Sequence, residues 1–179
     1  FPYTTLFRSA KRALVIESTN DIGVVAKPMK VVGRDGGASA LIGGKIVWTF
    51  GDTFWPFKAE DGMNYRTNTA AIADLSSPLQ ATEPVDATGA PYAFIPFTDE
   101  EKAFNASTGK PDDRFAIWPG SVIPDGAGGI VFYLKIHVKP GTLNYDFRGT
   151  GIARIASATT TATRDAGRRQ PQFVSSLVR

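Results

Sequence analysis

Two aspartates, Asp35 and Asp52, lie at equal distances in the sequence from the dipeptide Gly43-Gly44. A pair of glycines favours a two-residue hairpin loop, because both positions of such a loop can take positive φ. Facing residues of that hairpin have numbers that add up to 87, so the two carboxylates are predicted to be cross-strand neighbours. Like charges in that arrangement destabilise a sheet, which indicates a cation, a shared proton or a catalytic role.

A purely structural interpretation of the two carboxylates is also open. Asp52 would cap a turn through its own backbone, as aspartate often does. Asp35 would form an ion pair with Arg34 or Arg66. The glycines beside the pair, such as Gly51, also favour a β-bulge that would shift the register.

Aromatic and polar side chains accompany the acidic pair. Trp55 comes three residues after the second aspartate, Tyr65 lies beside Arg66 and close to Asn68, and Trp118 opens a later strand. Aromatic faces stack on sugar rings while a few polar groups fix their orientation, so this pattern predicts a carbohydrate site. One alternative is that Trp48 and Trp118 pack between sheets. The other is that Arg66 and Asn68 only close a loop.

Other kinds of catalytic site have little support in the sequence. His137 is the single histidine and there is no cysteine, so a transition-metal site lacks ligands. No calcium-loop, phosphate-loop or dinucleotide motif occurs, and no serine lies in a G-x-S-x-G turn. We therefore predict neither a metal nor a cofactor.

Apolar runs rich in valine and isoleucine, bounded by glycine and proline, predict short strands in the first half of the chain. Residues 12–18 and 22–32 would be strands or an extended lead-in, since Pro28 interrupts the second run. Further strands are predicted at 38–42, 45–50 and 68–74, with a fourth, edge-like strand at 92–97.

The strand pattern then restarts. Residues 115–138 again indicate strand, glycine-rich turn and strand, and 149–156 indicate a third strand, at a period of about 81–83 residues. Antiparallel units repeating at this spacing predict an all-β fold, a partial β-propeller with repeats at about 30–97 and 115–156. A β-sandwich with two similar hairpins is the alternative. Residues 99–106 would add one or two helical turns.

The composition of the 179 residues is that of an ordinary globular domain, with 42% hydrophobic and 21% charged residues. No apolar run reaches the roughly 18 residues of a membrane helix, so we predict no membrane span. The net charge of +3 comes from the two ends, because residues 10–155 hold 15 basic and 16 acidic side chains. Without a basic stripe on the folded part, we predict no nucleic-acid binding.

Four segments carry a family resemblance, and they read in chain order RDGG, GGKIVWTFGDTFWP, YRTNTAAIAD and IWPG. Together they resemble the bacterial five-bladed β-propellers of domain of unknown function family 4185, over residues 30–156. Some relatives of that family are endo-D-arabinanases of glycoside hydrolase family 183. A more distant similarity extends to the arabinanase and fructosidase propellers of families 43 and 32. The resemblance implies about two blades of a five-bladed propeller.

The resemblance also implies a carbohydrate site at the mouth of the propeller channel, for arabinan-like furanoside glycans. Asp35 would be the general base or transition-state carboxylate and Asp52 its partner, with an acid from another blade. Ser121 lies where an acidic residue is expected, so Asp112 or Asp113 would be the nearest carboxylate of the second blade. A non-catalytic propeller that binds glycan or protein is the alternative function. The implied sugar contacts are Arg34, Trp55, Tyr65, Arg66, Asn68 and Trp118.

Both ends of the sequence differ from the rest. Residues 1–9, FPYTTLFRS, resemble a translated sequencing adapter, so we expect an artefact there. Residues 10–156 would form the partial propeller, and 157–179 a tail or the truncated start of a next blade. We expect a fragment of a larger protein, and a polymeric glycan substrate favours an extracytoplasmic or secreted location.

Overall fold

The computed structural model describes residue 21 and residues 23–164. The adapter-like residues 1–9, the predicted strand 12–18 and the tail beyond Arg164 lie outside the described residues. The elements are β1 (Gly33–Arg34), β2 (Ala38–Ile42), β3 (Lys45–Phe50), β4 (Thr53–Phe54), β5 (Tyr65–Arg66), β6 (Thr69–Asp74), α1 (Asp99–Thr108), β7 (Arg114–Asp125), β8 (Gly128–Val138), β9 (Tyr145–Ile155) and β10 (Thr163–Arg164).

The first large sheet has the strand order β2-β3-β6, and all its pairs are antiparallel. Gly43 and Gly44 form its hairpin turn with φ of 55° and 77°, a conformation that L-residues with side chains rarely adopt. The cross-strand pairs run from Ala38 with Thr49 to Ile42 with Lys45 at the turn. The predicted register is therefore confirmed. This register fixes which residues of the hairpin face each other.

A small sheet of order β1-β4-β5 extends the same hairpin beyond a break in the pairing. Its strands pair Arg34 with Thr53 and Gly33 with Phe54, so the facing numbers again add up to 87. The hairpin therefore has the same register on both sides of the break, and the two aspartates lie in the break itself.

The second large sheet has the order β10-β9-β8-β7 and is also antiparallel. Its first hairpin turns at Gly126, which follows Gly43 by 83 residues. Strand β7 has a bulge between Pro119 and Val122, where the strand bends. The predicted all-β fold with antiparallel sheets is confirmed, and none of the described sheets closes into a barrel. The propeller arrangement stays a prediction.

The two large sheets bury apolar side chains against each other. Ile42 and Val47 of the first sheet share a cluster with Ile117 and Val131 of the second. A Cβ at Gly129 would lie 2.6 Å from the Ile42 side chain, so the absence of a side chain permits this close approach. The packing fixes how strand β7 sits beside the first hairpin.

The strand predicted at 92–97 is wrong. The segment is a bend without strand pairing, in which Phe94 and Ile95 are buried in the main cluster. The Ile95 N–H donates to Asn68 Oδ1 at 2.6 Å, so a side chain takes the place of a neighbouring strand. The lead-in at 23–32 likewise forms no strand, and it turns just after Pro28.

Helix α1 is longer than the expected one or two turns. Its ten residues begin after Thr98, whose hydroxyl accepts from the Glu101 N–H while the Glu101 carboxylate accepts from the Thr98 N–H. This capping box satisfies free donors of the first turn, and Gly109 ends the helix with φ of 59°. No helix in the described part of the chain is long and apolar enough to cross a membrane.

Candidate functional site

Asp35 and Asp52 meet at the break in the first hairpin. The Asp35 N–H donates to the Asp52 carbonyl at 2.9 Å, and the Gly51 N–H donates to the Asp35 carbonyl at 2.9 Å. Asp35 is exposed and Asp52 is half-buried. A Cβ at Gly51 would overlap the Asp35 carboxylate, so the acidic side chain lies over a position that only glycine leaves open. The structure thus brings the two predicted aspartates together.

The Asp52 carboxylate is held from the second sheet. Trp118 Nε1 of β7 donates to Asp52 Oδ1 at 3.2 Å. Burial raises the pKa of Asp52 above its ordinary value and the charge of Asp35 adds to this, while Arg114 and the Trp118 hydrogen bond act in the opposite direction. Asp52 therefore keeps its proton to a higher pH than an exposed aspartate does.

Arg114 is the residue of this site that sequence reasoning missed. Its guanidinium carbon lies 4.6 Å from the centre of the Tyr65 ring, a cation–π distance. Burial raises the pKa of the Tyr65 phenol, and the charge and hydrogen bond of Arg114 oppose this. Arg114 precedes Trp118 by four residues in β7, so strand alternation places both on one face. That spacing is the signal that would have found it.

A cleft of about 720 Å³ adjoins this cluster. It lies among the segment 58–67, the bend at 93–97, helix α1 and the residues that follow the helix. Tyr65, Arg66 and Arg114 line it. Arg66 also forms an ion pair with Asp61 at 3.1 Å. Two of the predicted sugar contacts therefore lie on the wall of a ligand-sized cleft.

Arg34 lies apart from the cluster, in an internal ion pair. Its guanidinium contacts the Glu83 carboxylate at 3.0 Å and covers the Phe50 ring at 3.5 Å, with the side chain 8% exposed. Burial lowers the pKa of Arg34 and raises that of Glu83, and each partner opposes the shift in the other. The alternative ion pairs of Asp35 do not form, because Arg34 binds Glu83 and Arg66 binds Asp61.

Trp55 and Asn68 belong to the interior. Trp55 is 2% exposed, with one neighbouring ring and the Arg66 guanidinium against it, so its faces are not open to a ligand. Asn68 is 1% exposed and its amide donates to the Ile117 carbonyl at 3.1 Å. Both residues therefore have a structural role. Their burial could not be predicted from the neighbouring residues in the sequence. Trp118, by contrast, is half-buried and lies edge-on to Tyr145 at 5.6 Å.

The second sheet offers few groups for metal or acid chemistry. Ser121 is exposed within the bulge of β7. Asp113 contacts His137 Nε2 at 2.9 Å, and Arg148 lies 3.1 Å from His137 Nδ1, so both ring nitrogens have protein partners. Asp112 is exposed. Among the residues the structure describes, no three acidic or histidine side chains group as a metal site would require.

Comparison with known proteins gives a distant structural likeness. No family model matches the chain, so the resemblance to family 4185 stays a prediction. No curated protein matches it either. A crystal structure from Bacteroides ovatus ATCC 8483, named "putative hydrolase", is 15% identical with a TM-score of 0.47. The likeness covers 72% of this chain and 36% of that one, so the chain spans about a third of that protein's length.

Proposed function

We propose that the cluster of Asp35, Asp52 and Trp118 is a carbohydrate site at which arabinan-like furanoside glycans are bound and hydrolysed. The supporting observation is the half-buried Asp52 carboxyl, which faces the exposed Asp35 and is held by an indole N–H from the other sheet. The proposal includes a partial five-bladed propeller and, for a polymeric substrate, an extracytoplasmic location.

Hydrolysis of a glycosidic bond needs one ionised and one protonated carboxyl. The raised pKa of Asp52 suits the protonated role, and we assign the other role to Asp35. An inverting reaction needs its two carboxyls roughly 6.5–9.5 Å apart, so that a water molecule fits between them. For such a reaction the proposal takes the acid from another blade instead, with Asp52 orienting Asp35.

The sugar would contact the exposed parts of the same cluster. Trp118 offers a half-buried ring next to the acid, and Tyr65 and Arg66 offer an aromatic face and donors on the cleft wall. Aromatic rings and a few fixed polar groups are what sugar sites use. Arg34, Trp55 and Asn68, which are engaged inside the protein, are not included in the proposal.

The test measures binding and hydrolysis separately on the full chain. Affinity electrophoresis in gels that contain arabinan reports binding, and chromatography of released oligosaccharides reports hydrolysis. We expect Asp35→Asn and Asp52→Asn to abolish product release while the circular dichroism spectrum stays unchanged. Asp74→Asn is the matched control, since Asp74 is an exposed aspartate paired with Lys45 on the same sheet. Full hydrolysis by the Asp35→Asn variant would contradict the assignment.

A non-catalytic glycan- or protein-binding function is the second candidate. The exposed Ser121 favours it, because a serine occupies the place where the resemblance implies an acid. Retarded migration in the arabinan gel with no released product from the unmodified chain would establish this second function. Absence of both retardation and product would remove the carbohydrate proposal for arabinan-like glycans.

A further inference from the structure

Basic side chains gather in the cleft beside Tyr65. Residues 21 and 23–164 hold 14 basic and 15 acidic side chains, a net charge of −1. The cleft is lined by five of the basic residues and by one acidic residue, Asp61. A cleft lined mainly by positive charge attracts ligands of the opposite sign. The five basic residues are Lys58, Arg66, Lys102, Lys110 and Arg114.

Part of this positive charge has acidic partners, and the rest lies on exposed lysines. Asp61 is paired with Arg66. Lys102 contacts Asp99 at 3.1 Å, but both side chains are exposed, and such pairs contribute little. Lys58 and Lys110 are exposed as well. The three lysines can therefore turn towards an anionic ligand at little cost.

Arg114 has donors that the protein does not use. Its Nε and Nη1 atoms are buried, and neither has a hydrogen-bond partner among the described residues. A guanidinium is a planar fork of five N–H donors that matches a carboxylate in two parallel hydrogen bonds. Arg114 lines the cleft, so a ligand carboxylate bound there would pair with donors that the protein leaves unused.

Much of the remaining cleft wall is apolar. Met63, Pro96, Phe97 and Ala106 lie among its lining residues. Sugar rings present apolar C–H faces that pack on such surfaces, while their substituents reach the charged rim. A ligand with flat apolar faces and regularly spaced carboxylates satisfies both parts of the wall.

We propose that this cleft binds the carboxylates of an acidic glycan, a uronate-bearing segment of the polymer whose cleavable part reaches Asp52. Arg66 and Arg114 line the cleft. Arg66 pairs in the sheet with Thr53, the residue after Asp52, and the Arg114 charge acts on the Asp52 carboxyl, so the cleft adjoins the acidic site. The inference rests on the proposed carbohydrate function. It adds that the substrate is negatively charged.

The experiment titrates the full chain with trigalacturonate and, in parallel, with the same trisaccharide after its carboxyls are reduced to alcohols. Calorimetry at low and high salt measures the dissociation constants. The acid form should bind roughly tenfold or more tightly than the reduced form, because charge-assisted hydrogen bonds are lost on reduction. This preference should shrink at high salt. Equal affinity of the two trisaccharides would overturn the proposal.

Variants locate the binding in the cleft. The triple variant Lys58→Gln, Lys102→Gln and Lys110→Gln should weaken trigalacturonate binding roughly tenfold, as the loss of several charged contacts predicts. The matched control replaces Lys45, Lys139 and Arg154 by Gln; these form ion pairs away from the cleft. The control should bind as the unmodified chain does. An equal loss in both triples would contradict a cleft-specific site.

Two further arms separate this inference from the proposed function. In the double variant Asp35→Asn and Asp52→Asn, trigalacturonate should still bind more tightly than its reduced form, and equal binding of the two forms would overturn the cleft assignment. Loss of arabinan cleavage in that variant tests only the hydrolytic site. An oligoglutamate that binds as tightly as trigalacturonate would overturn the glycan class of the ligand.

Discussion

Trp118 and Asp52 are joined across the two large sheets by an indole N–H that donates to the carboxylate at 3.2 Å. Asp52 belongs to the first hairpin and Trp118 to the first strand of the second sheet. The acid therefore acquires its surroundings only when the two sheets pack together. Burial of Ile42 against the second sheet drives this packing. The same packing therefore forms the apolar core and completes the site.

Replacing Trp118 by Phe should raise the pKa of Asp52 further. The indole N–H stabilises the ionised carboxylate, and phenylalanine keeps a ring there without a donor. Carbon-13 NMR of the aspartate carboxyls across a pH titration measures the change, with Asp52→Asn to assign the signal. Trp48→Phe is the control, since its indole donates to the Pro78 carbonyl instead. A lowered or unchanged pKa in Trp118→Phe would refute the role of this hydrogen bond.

Replacing Asp52 by Asn should increase the free energy of unfolding at neutral pH. The folded pKa of Asp52 is raised by burial, so the folded state favours the protonated form. Its contribution to stability is present below the unfolded pKa, about 3.9, and is lost as pH rises through the folded pKa. The increase in the free energy of unfolding caused by Asp52→Asn should therefore grow as the pH rises from the unfolded pKa to the folded pKa. Above the folded pKa it should stay constant. Urea unfolding at several pH values measures it, with the exposed Asp112→Asn as a control that should show no such growth.

The meeting of Asp35 and Asp52 could be predicted because the turn glycines set the hairpin register on both sides of them. The break between them follows the glycine-rich alternative, since the Asp35 backbone bonds to both Gly51 and Asp52. The roles of Trp55 and Asn68 could not be predicted, since their burial depends on segments distant in the sequence, such as the bend that carries Ile95. Arg114 was missed for a different reason. Its strand alternation with Trp118 is visible in the sequence, but its contact with Tyr65 comes from packing between sheets.

Replacing Asn68 by Ala should destabilise the protein by about 1–3 kcal/mol, the penalty for leaving buried polar groups unpaired. The Asn68 amide accepts from the Ile95 N–H and donates to the Ile117 carbonyl, so it ties the bend to the second sheet. Urea unfolding at neutral pH measures the loss. Asn144→Ala is the control, because that amide donates to the Pro140 carbonyl at the exposed surface. Equal effects of both variants would contradict the interior role.

Replacing Gly51 by Ala should weaken the candidate site directly. An added Cβ would overlap the Asp35 carboxylate, so the aspartate has to move away from Asp52. Asp52 would then lose the neighbouring charge that raises its pKa, and the pKa should fall. The same carboxyl titration detects this fall. Gly33→Ala is the matched control, because a Cβ there meets nothing within 4 Å.

Replacing Glu101 by Gln should destabilise the protein by about 3–5 kcal/mol, as expected when a buried ion pair loses one partner. Glu101 is 1% exposed, contacts Lys135 at 2.9 Å and binds the Arg164 guanidinium. Burial pushes the pKa of Glu101 up, but hydrogen bonds from Arg164, the Thr98 N–H and Lys135 outweigh it and hold the pKa below its ordinary value.

Because the folded pKa of Glu101 is depressed, its contribution to stability is fully present above the unfolded pKa, about 4.3. It is lost as the pH falls through the lower folded pKa. The difference between the unmodified chain and Glu101→Gln should therefore be constant near neutrality and shrink in acid. Urea unfolding from neutral pH downward measures this, with the exposed Glu100→Gln as control. A difference that does not change with pH would show that packing, and not the carboxylate charge, stabilises this contact between α1, β8 and β10.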